Sequence, residues 1–290
     1  MSVVIPAYNA EETIQAALVS VGAQTVAPHE VVVVDDGSSD RTPAVVRGYG
    51  PGVRLLHQDR QGPSAARNAG IAATSGDLVA FLDADDEWHP EKLERQLRVL
   101  DDGAVVVATD WTRGPFAAVL PDQVPVSTVP GTDLLLLNRF QTSTVLARRS
   151  ALDATGGFDT TLDGVEDWDM WLRMSEVGQV RKLDWPLVRY RDSPVGVSKA
   201  LDRVYATGAV MLGRRFGARP ARQERTILAW HHLRFAAAFA LIGDRAHAAQ
   251  CVRASLAPGV RAAVPEAAVR YLVPFLFDRV RRRIPGSRHG

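Results

Sequence analysis

A chain of 290 residues with 46% hydrophobic and 23% charged residues has the composition of a soluble protein that forms one large domain and an appendage. The single cysteine, Cys251, excludes an intramolecular disulfide framework and a cysteine-rich metal site. The net charge of +1 hides an uneven distribution, because residues 1–197 contain 17 Lys and Arg against 28 Asp and Glu, whereas residues 198–290 contain 17 against 5. We therefore predict two domains, residues 1–197 and residues 198–290, with different roles.

Apolar runs and helical spacings alternate through the first 110 residues. Short runs at residues 2–6, 31–34, 53–56, 78–82 and 105–109 are predicted to be strands. Between them, residues 11–23, a segment opened by Thr42-Pro43, residues 63–74 and a segment opened by Pro90 are predicted to be helices. This alternation predicts an α/β domain with a parallel sheet and helices on both faces.

The pattern loosens after residue 110. Residues 112–133 contain four prolines and no clear period, which is typical of a functional or mobile stretch. Order resumes at residues 144–147, followed by a helix near residues 166–176 and two short strands near Val180 and Val188. Beyond Ser198 the sequence is rich in Ala and Arg and predicts only helices.

Two acidic clusters follow predicted strands. Asp35 and Asp36 come after residues 31–34, and Asp83, Asp85 and Asp86 come after residues 78–82. Carboxylates there fall at the carboxyl edge of the sheet, where open α/β folds bind ligands. A Mg²⁺ or Mn²⁺ ion that bridges a diphosphate takes one or two protein carboxylates. The clusters therefore indicate a metal-dependent enzyme that acts on a nucleotide diphosphate compound.

Five segments, in this order, resemble those of family-2 glycosyltransferases. They are residues 2–9 (SVVIPAYN), 33–40 (VVDDGSSD), 66–70 (ARNAG), 81–86 (FLDADD) and 166–169 (EDWD). The resemblance covers about residues 2–195. It implies a GT-A fold, that is, an α/β domain with a Rossmann-like, mostly parallel sheet flanked by helices, here with a C-terminal helical extension. It also implies a nucleotide-sugar donor, a divalent metal and inversion at the anomeric carbon.

By this resemblance, the acidic cluster after the fourth strand holds the metal and the diphosphate. Asp83 and Asp85 are the predicted metal-site residues, with Asp85 the direct ligand and Asp83 near the ribose or the metal, and Asp86 contacts the sugar. Arg67 and Asn68, in the Ala-rich helix, would add charge-assisted contacts to the diphosphate. The alternative for the acidic cluster is a strand-end turn whose carboxylates cap a helix. The alternative for Arg67 and Asn68 is a solvated helix face.

The same resemblance places the nucleotide base at the end of the second strand. The Asp36 carboxylate would receive the N–H of a uracil-like or other base, which favours a UDP-sugar, and Pro6 and Tyr8 would form the facing wall. Asp35 is an alternative, because neighbours on a strand point to opposite sides. A second alternative is that Asp-Gly-Ser at residues 36–38 forms a turn without a binding role.

Direct displacement needs a base that takes the proton from the acceptor hydroxyl. By resemblance this base is Asp167, at the start of a helix, where the N-terminus stabilises an ionised carboxylate. Glu166 and Trp168 are expected beside the acceptor or the sugar. Residues 112–133 and 138–144 are expected to shape the choice of acceptor. The alternative for Asp167 is an acid that only interacts with the helix dipole at the N-terminus. The alternative for Trp168 is a side chain that only packs against its neighbours.

One departure from the family concerns the third metal ligand. Many relatives have a histidine after Tyr-Arg-X near the end of the catalytic domain, whereas residues 189–193 here read Arg-Tyr-Arg-Asp-Ser. That histidine can complete the metal or the diphosphate site. Asp192 or Arg191 is left to substitute for it, or a water molecule to fill the position of the third metal ligand.

The basic tail has the composition of a helix that lies on an anionic membrane. Apolar residues at helical spacing alternate with arginines, namely Val269, Leu272, Val273, Leu276, Val280 and Ile284 with Arg270, Arg279, Arg281, Arg282 and Arg283. We expect this tail to bring the enzyme to a lipid-linked or membrane-borne hydroxyl acceptor, with packing on protein as the equal alternative. No motif supports nucleic-acid binding.

The predicted location is cytoplasmic, peripheral to the inner face of the cell membrane. Met1 leads directly into a strand, so we expect no signal peptide, and no run approaches the roughly 20 apolar residues that span a bilayer. One cysteine fits a reducing cytosol.

Two other functions stay open beside an inverting glycosyltransferase. A nucleotidyltransferase shares the α/β sheet but normally has a Gly-rich, basic loop after its first strand, whereas residues 7–12 are acidic and lack glycine. A non-catalytic module that binds nucleotide sugars or docks on membranes is the other alternative.

Overall fold

The computed structural model describes residues 1–191, 200–217 and 221–272. The chain divides into two compact units, Met1–Val197 and Ser198–Gly290.

The first unit contains strands and helices in alternation. Its described strands are β1 (Ser2–Ala7), β2 (Glu30–Asp35), β3 (Val53–His57), β4 (Leu78–Phe81), β5 (Glu87–Trp88), β6 (Ala104–Thr112), β7 (Val126–Thr128), β8 (Leu146–Arg148) and β9 (Gln179–Arg189). Its described helices are α1 (Ile14–Gly22), α2 (Thr42–Tyr49), α3 (Pro63–Ala73), α4 (Lys92–Val99), α5 (Gly131–Leu136), α6 (Arg149–Thr155) and α7 (Glu166–Val177).

The strands form one sheet in the order β3-β2-β1-β4-β8-β6-β9-β5, with β7 paired to β9. Strands β3, β2, β1 and β4 run parallel, as do β6 and β9, whereas β8 is antiparallel to both of its neighbours. The predicted α/β architecture is confirmed. The carboxyl ends of β1, β2 and β4 therefore meet at one edge of the sheet, where the two acidic clusters lie.

Helices cover both faces of the parallel strands because successive side chains of a strand alternate. On one face Val3, Ile5 and Val33 pack with Ile14 and Leu18 of α1. The opposite face takes Val32 and Val34, which pack with Ala66 of α3. Full burial of each large aliphatic side chain stabilises the fold by about 1.5–3 kcal/mol, so this core fixes the edge that carries the acids.

The end of β1 is attached to the turn after β2. Asn9 adopts a left-handed conformation with φ of 47°, which Asn tolerates better than most residues. Its side-chain oxygen accepts a hydrogen bond from Ser39 N–H at 2.8 Å, and its own N–H donates to Ser38 Oγ at 2.9 Å. Tyr8 and Asp36 are thereby held at neighbouring strand ends.

The described part of the second unit is helical, as expected. It contains α8 (Leu201–Phe216), α9 (Arg222–Leu241), α10 (Arg245–Ser255) and α11 (Val264–Ala267), with a π-helical turn at Ala268–Leu272. Tyr205, Phe235, Phe239 and Cys251 form its apolar core. Among the described residues no helix has both the length and the apolar content needed to cross a membrane.

Several residues named from the sequence lie outside the described residues. They are Asp192, named as a substitute for the missing histidine, and the tail residues from Val273 onward, including Leu276, Val280, Ile284 and the arginines at 279 and 281–283.

Candidate active site

The acidic turn after β4 presents two of its carboxylates and buries the third. Asp83 and Asp85 are half-buried, whereas Asp86 is 1% exposed. The oxygens of Asp86 accept hydrogen bonds from Ser143 Oγ at 2.6 Å and from Arg191 N–H at 2.9 Å. Ser143 Oγ also accepts from Asp83 N–H at 3.0 Å. Asp86 thus anchors the turn, and its contact with a sugar stays a prediction.

The charges in this turn repel one another. Burial and the charge of Asp83 raise the pKa of Asp85 to about 6, and the same two causes raise the pKa of Asp86 above its usual range. A divalent cation would relieve this repulsion, because it favours the ionised carboxylates. Within the described ranges no three His, Cys, Asp or Glu side chains are arranged to hold a metal ion. Asp83 and Asp85, the two carboxylates of the turn that are not fully buried, suit an ion that takes one or two protein carboxylates.

A buried arginine connects the acidic turn to the start of α7. Arg67, 5% exposed, lies in α3 and pairs through Nη2 with Asp83 Oδ1 at 2.8 Å and through Nη1 with Glu166 Oε1 at 3.1 Å. The other oxygen of Glu166 accepts from Gly164 N–H at 2.8 Å. Arg67 Nε has no hydrogen-bond partner among the described residues. The structure thus brings Arg67, Asp83 and Glu166 together.

The neighbouring residue on α3 binds the loop that precedes α7. Asn68 Nδ2 donates to Phe158 O at 2.8 Å, and Phe158 N–H donates to Asn68 Oδ1 at 2.8 Å. The expected contact of Asn68 with the diphosphate stays a prediction, since both polar ends of its amide bind protein backbone here.

Asp167 is oriented by hydrogen bonds to both of its oxygens. Asn138 Nδ2 donates to Oδ2 at 2.9 Å, and Trp168 N–H donates to Oδ1 at 2.6 Å. Burial, followed by the charge of Glu166, raises the pKa of Asp167 to about 7. Trp168 is buried, and its indole N–H donates to Leu134 O, so its contact with a sugar stays a prediction.

The site expected to bind the nucleotide base lies two strands from the acidic turn. Because β1 lies between β2 and β4, the ends of β2 and β4 are about 10 Å apart. Asp36 Oδ1 accepts from Gln58 Nε2 at 2.7 Å and Gln61 N–H at 2.8 Å, and Oδ2 accepts from Gly62 N–H at 2.8 Å, its one donor among the residues that the structure describes. Oδ2 therefore keeps capacity for one more donor, such as a base N–H.

The two other residues of this region differ in exposure and partners. Tyr8 is exposed and lies under the Arg60 guanidinium, 3.8 Å from its ring centre, and Pro6 is half-buried in β1. Asp35 is fully buried and binds His57 Nδ1 at 2.7 Å. Asp35 thus points to a different partner from Asp36, as alternation along a strand requires.

Three side chains of the site had no role assigned from the sequence: Ser143, Asn138 and Arg60. Ser143 and Asn138 fall in residues 138–144, where the sequence indicated only an influence on acceptor choice. The Thr-Ser-Thr run directly before a buried strand could have pointed to a buried hydroxyl. Its partner could not be named, because Ser143 and Asp86 are 57 positions apart.

A family model described as Glycosyl transferase family 2 matches residues 2–145. The matched range includes Asp36, Asp83 and Asp85 and ends before Asp167.

Curated relatives share this first part of the chain. An uncharacterized glycosyltransferase of Rickettsia prowazekii (strain Madrid E) is 29% identical over 194 residues, which is 62% of this chain and 60% of that protein. The succinoglycan biosynthesis protein ExoO of Rhizobium meliloti (strain 1021) is 46% identical over 109 residues, which is 37% of this chain and 31% of ExoO. The chain thus spans less than two thirds of the length of these relatives.

Solved structures resemble the chain at low sequence identity. S. aureus TarS 1-349 in complex with UDP-GlcNAc has a TM-score of 0.65 at 21% identity, covering 86% of this chain and 78% of that one. The mannosyltransferase PcManGT from Pyrobaculum calidifontis, in complex with GDP-Man and Mn²⁺, has a TM-score of 0.62 at 21% identity, covering 94% and 80%. The likeness confirms the predicted GT-A fold.

Proposed function

This chain belongs to glycosyl transferase family 2, and from that starting point we propose that it moves a sugar from a nucleotide-diphosphate sugar to a hydroxyl acceptor, with inversion at the anomeric carbon. One observation carries the proposal. Arg67 binds both Asp83 in the acidic turn and Glu166 beside Asp167. The carboxylates needed for donor activation and for acceptor deprotonation thus belong to one connected site.

The donor is held, in this proposal, at the carboxyl edge of β1, β2 and β4. Asp83 and Asp85 would hold a Mg²⁺ or Mn²⁺ ion, which would supply positive charge beside the diphosphate leaving group. Pro6 and Tyr8 form the wall for the base, and Asp36 accepts its N–H, which favours a UDP-sugar. Support comes from the solved structures that the chain resembles, which contain UDP-GlcNAc, and GDP-Man with Mn²⁺.

Asp167 takes the proton from the acceptor hydroxyl as that oxygen attacks the anomeric carbon. Its raised pKa of about 7 is close to ambient pH, where a general base combines a sufficient ionised fraction with proton affinity. The hydrogen bonds from Asn138 and from the Trp168 N–H hold the carboxylate in one orientation.

Paired variants test these roles, with UDP-GlcNAc and GDP-Man as donors, Mn²⁺ present and water as the acceptor. Asp167→Asn should abolish donor hydrolysis and keep Mn²⁺-dependent donor binding, whereas Asp85→Ala should lose that binding. Asp169→Asn is the matched control, because Asp169 lies in the same turn of α7 but pairs with Arg173 at 2.7 Å. Wild-type turnover in Asp167→Asn or Asp85→Ala contradicts the assignment.

We also propose that the second unit lies on an anionic membrane and so brings the enzyme, located in the cytoplasm, to a lipid-linked acceptor. Residues 198–290 contain 17 Lys and Arg against 5 Asp and Glu. At 100° per residue, Arg245, Val252 and Arg253 of α10 and the C-cap residue Leu256 lie within about a third of the helix circumference. Leu256 is 57% exposed and Val252 is exposed as well. An exposed face that combines apolar and basic residues suits an anionic bilayer.

Vesicle flotation at low salt tests the membrane proposal. The full chain should bind vesicles that contain phosphatidylglycerol and should not bind phosphatidylcholine alone, and Leu256→Glu should weaken the binding. Val119→Glu is the control, because Val119 is 81% exposed in the first unit. Equal binding to both vesicle types, or equal loss in both variants, contradicts the proposal; a concentration-dependent dimer instead would indicate a second copy as the partner.

A further inference from the structure

Two successive residues of α3 join parts of the first unit that are far apart in sequence. Arg67 connects Asp83 to Glu166, which are 83 positions apart, by ion pairs at 2.8 and 3.1 Å. Asn68 makes two hydrogen bonds with the backbone of Phe158, 90 positions away. We call these two bonds the Asn68 clamp. One helical turn of α3 therefore holds the acidic turn, the start of α7 and the loop before α7.

The loop is shaped to receive the Asn68 amide. A Cβ atom at Gly157 would lie 2.6 Å from Asn68 Oδ1, closer than two such atoms approach. The ring of Phe158 packs edge-on against the rings of Phe81 and Trp171. Its centroid lies 5.4 Å from that of Phe81 and 5.9 Å from that of Trp171. Phe81 lies two residues before Asp83, and Trp171 lies one helical turn after Asp167. Phe158 thus packs against residues that adjoin both groups of carboxylates.

We infer that Arg67 and Asn68 are positioning residues that fix Asp167 relative to Asp83 and Asp85, rather than ligands of the diphosphate. The inference rests on the proposed function. Both Nη atoms of Arg67 and both polar atoms of the Asn68 amide contact protein groups. Direct displacement requires the base and the leaving group on opposite sides of the anomeric carbon, and a misplacement of about 1 Å can lower the rate about 100-fold.

Two adjacent glycines provide a matched test that leaves Arg67 and Asn68 unchanged. Gly156 and Gly157 have φ of 76° and 77°, so an alanine at either position carries a similar conformational strain. Nothing lies within 4 Å of a Cβ at Gly156, whereas a Cβ at Gly157 meets Asn68. Gly157→Ala therefore strains the backbone and disturbs the Asn68 clamp, whereas Gly156→Ala only strains the backbone.

The readout is the hydrolysis of UDP-GlcNAc or GDP-Man with Mn²⁺, with kcat and KM measured separately. Gly157→Ala should lower kcat by about 10- to 100-fold relative to Gly156→Ala, and the KM for the donor should stay within about twofold. Asn68→Ala should give the same loss in kcat. Because Asn68→Ala and Gly157→Ala act on one contact, the kcat of the variant that combines them should be no lower than that of the less active single variant.

The opposite outcomes separate the alternatives. A raised KM with unchanged kcat in Asn68→Ala would make Asn68 a donor ligand and overturn the inference. Equal kcat in the two glycine variants would also overturn it, and if Gly157→Ala fails to fold, the kcat and KM of Asn68→Ala decide alone. Wild-type protein that hydrolyses neither donor removes the proposed function, and this inference with it; active wild type with equal variants removes the inference alone.

Discussion

At the residue scale, the carboxylates of the site lie in two electrostatic environments. Asp83 contacts the Arg67 guanidinium at 2.8 Å, whereas Asp85 and Asp167 have pKa values raised to about 6 and about 7, in each case first by burial. The second cause is a neighbouring carboxylate, Asp83 for Asp85 and Glu166 for Asp167. A metal ion can offset this repulsion at Asp85, while at Asp167 the raised pKa is itself useful to a base.

We predict that Asn138→Ala shifts the pH dependence of the reaction. The Asn138 amide donates to Asp167 and stabilises its ionised form, so its loss raises the pKa of Asp167 above about 7. Since the base works only when ionised, the rate rises with pH, and this limb should move up by about one unit. Donor hydrolysis between pH 5 and 9 measures the shift. An equal loss of rate at every pH would contradict it.

The sequence could indicate which acids to place in the candidate site but not which groups contact them. Asp83, Asp85 and Asp167 follow a predicted strand or open a predicted helix, and those positions depend on local pattern. Arg67 could not be paired with Glu166 in this way, because 99 positions separate the two residues. A buried arginine and a solvated one also look the same in an Ala-rich helix.

At the element scale, helix α3 packs closely on strand β1. A Cβ atom at Gly70 of α3 would lie 2.3 Å from Val4 Cγ1 of β1, so the helix approaches β1 this closely because residue 70 has no side chain. This approach places Arg67 and Asn68 within reach of the acidic turn.

We predict that Gly70→Ala destabilises the protein by about 1–3 kcal/mol, because the added methyl group forces the helix away from the strand. Gly48→Ala in α2 is the control, since a Cβ atom there meets nothing within 4 Å. That change should stabilise the protein by up to about 1 kcal/mol through helix propensity. Urea unfolding of both variants measures the difference, and equal effects would show that α3 can move without loss.

Elements with a clear period were predictable, and those set by their neighbours were not. Strands β1 to β4 and helix α3 agree with the apolar runs. β8 has three residues, too few to show a period, and its place between β4 and β6 comes from the whole sheet. The two short strands expected near Val180 and Val188 are one strand, β9, whose pairing with β6 shifts register between Leu183 and Pro186. Sequence alternation breaks at that irregularity.

At the scale of the whole molecule, we predict that donor binding stabilises the first unit only in the presence of Mn²⁺. A ligand at 100 times its Kd adds about 2.7 kcal/mol to the stability of the state that it binds. For a unit of this size that raises Tm by about 5–10 °C. Calorimetry with UDP-GlcNAc or GDP-Man, with and without a chelator, measures the change. An equal rise without metal would contradict the assignment of Asp83 and Asp85.

The division into an acidic and a basic part could be read from composition, because charge counts do not depend on fold. The sequence could not indicate that exposed apolar residues of α10 share a face with arginines. Recognising this face requires the bounds of α10, Arg245–Ser255, and the burial of Cys251 on the opposite side of the helix.

The position of β8 has a consequence for synthesis of the protein. Strand β4 ends at Phe81, and the strand that covers its outer edge begins at Leu146. At ordinary translation rates the nascent chain carries this uncovered edge for roughly 3 to 13 seconds. Uncovered strand edges pair with other polypeptides, so slow codons between these two positions would promote aggregation on the ribosome more than slow codons after them.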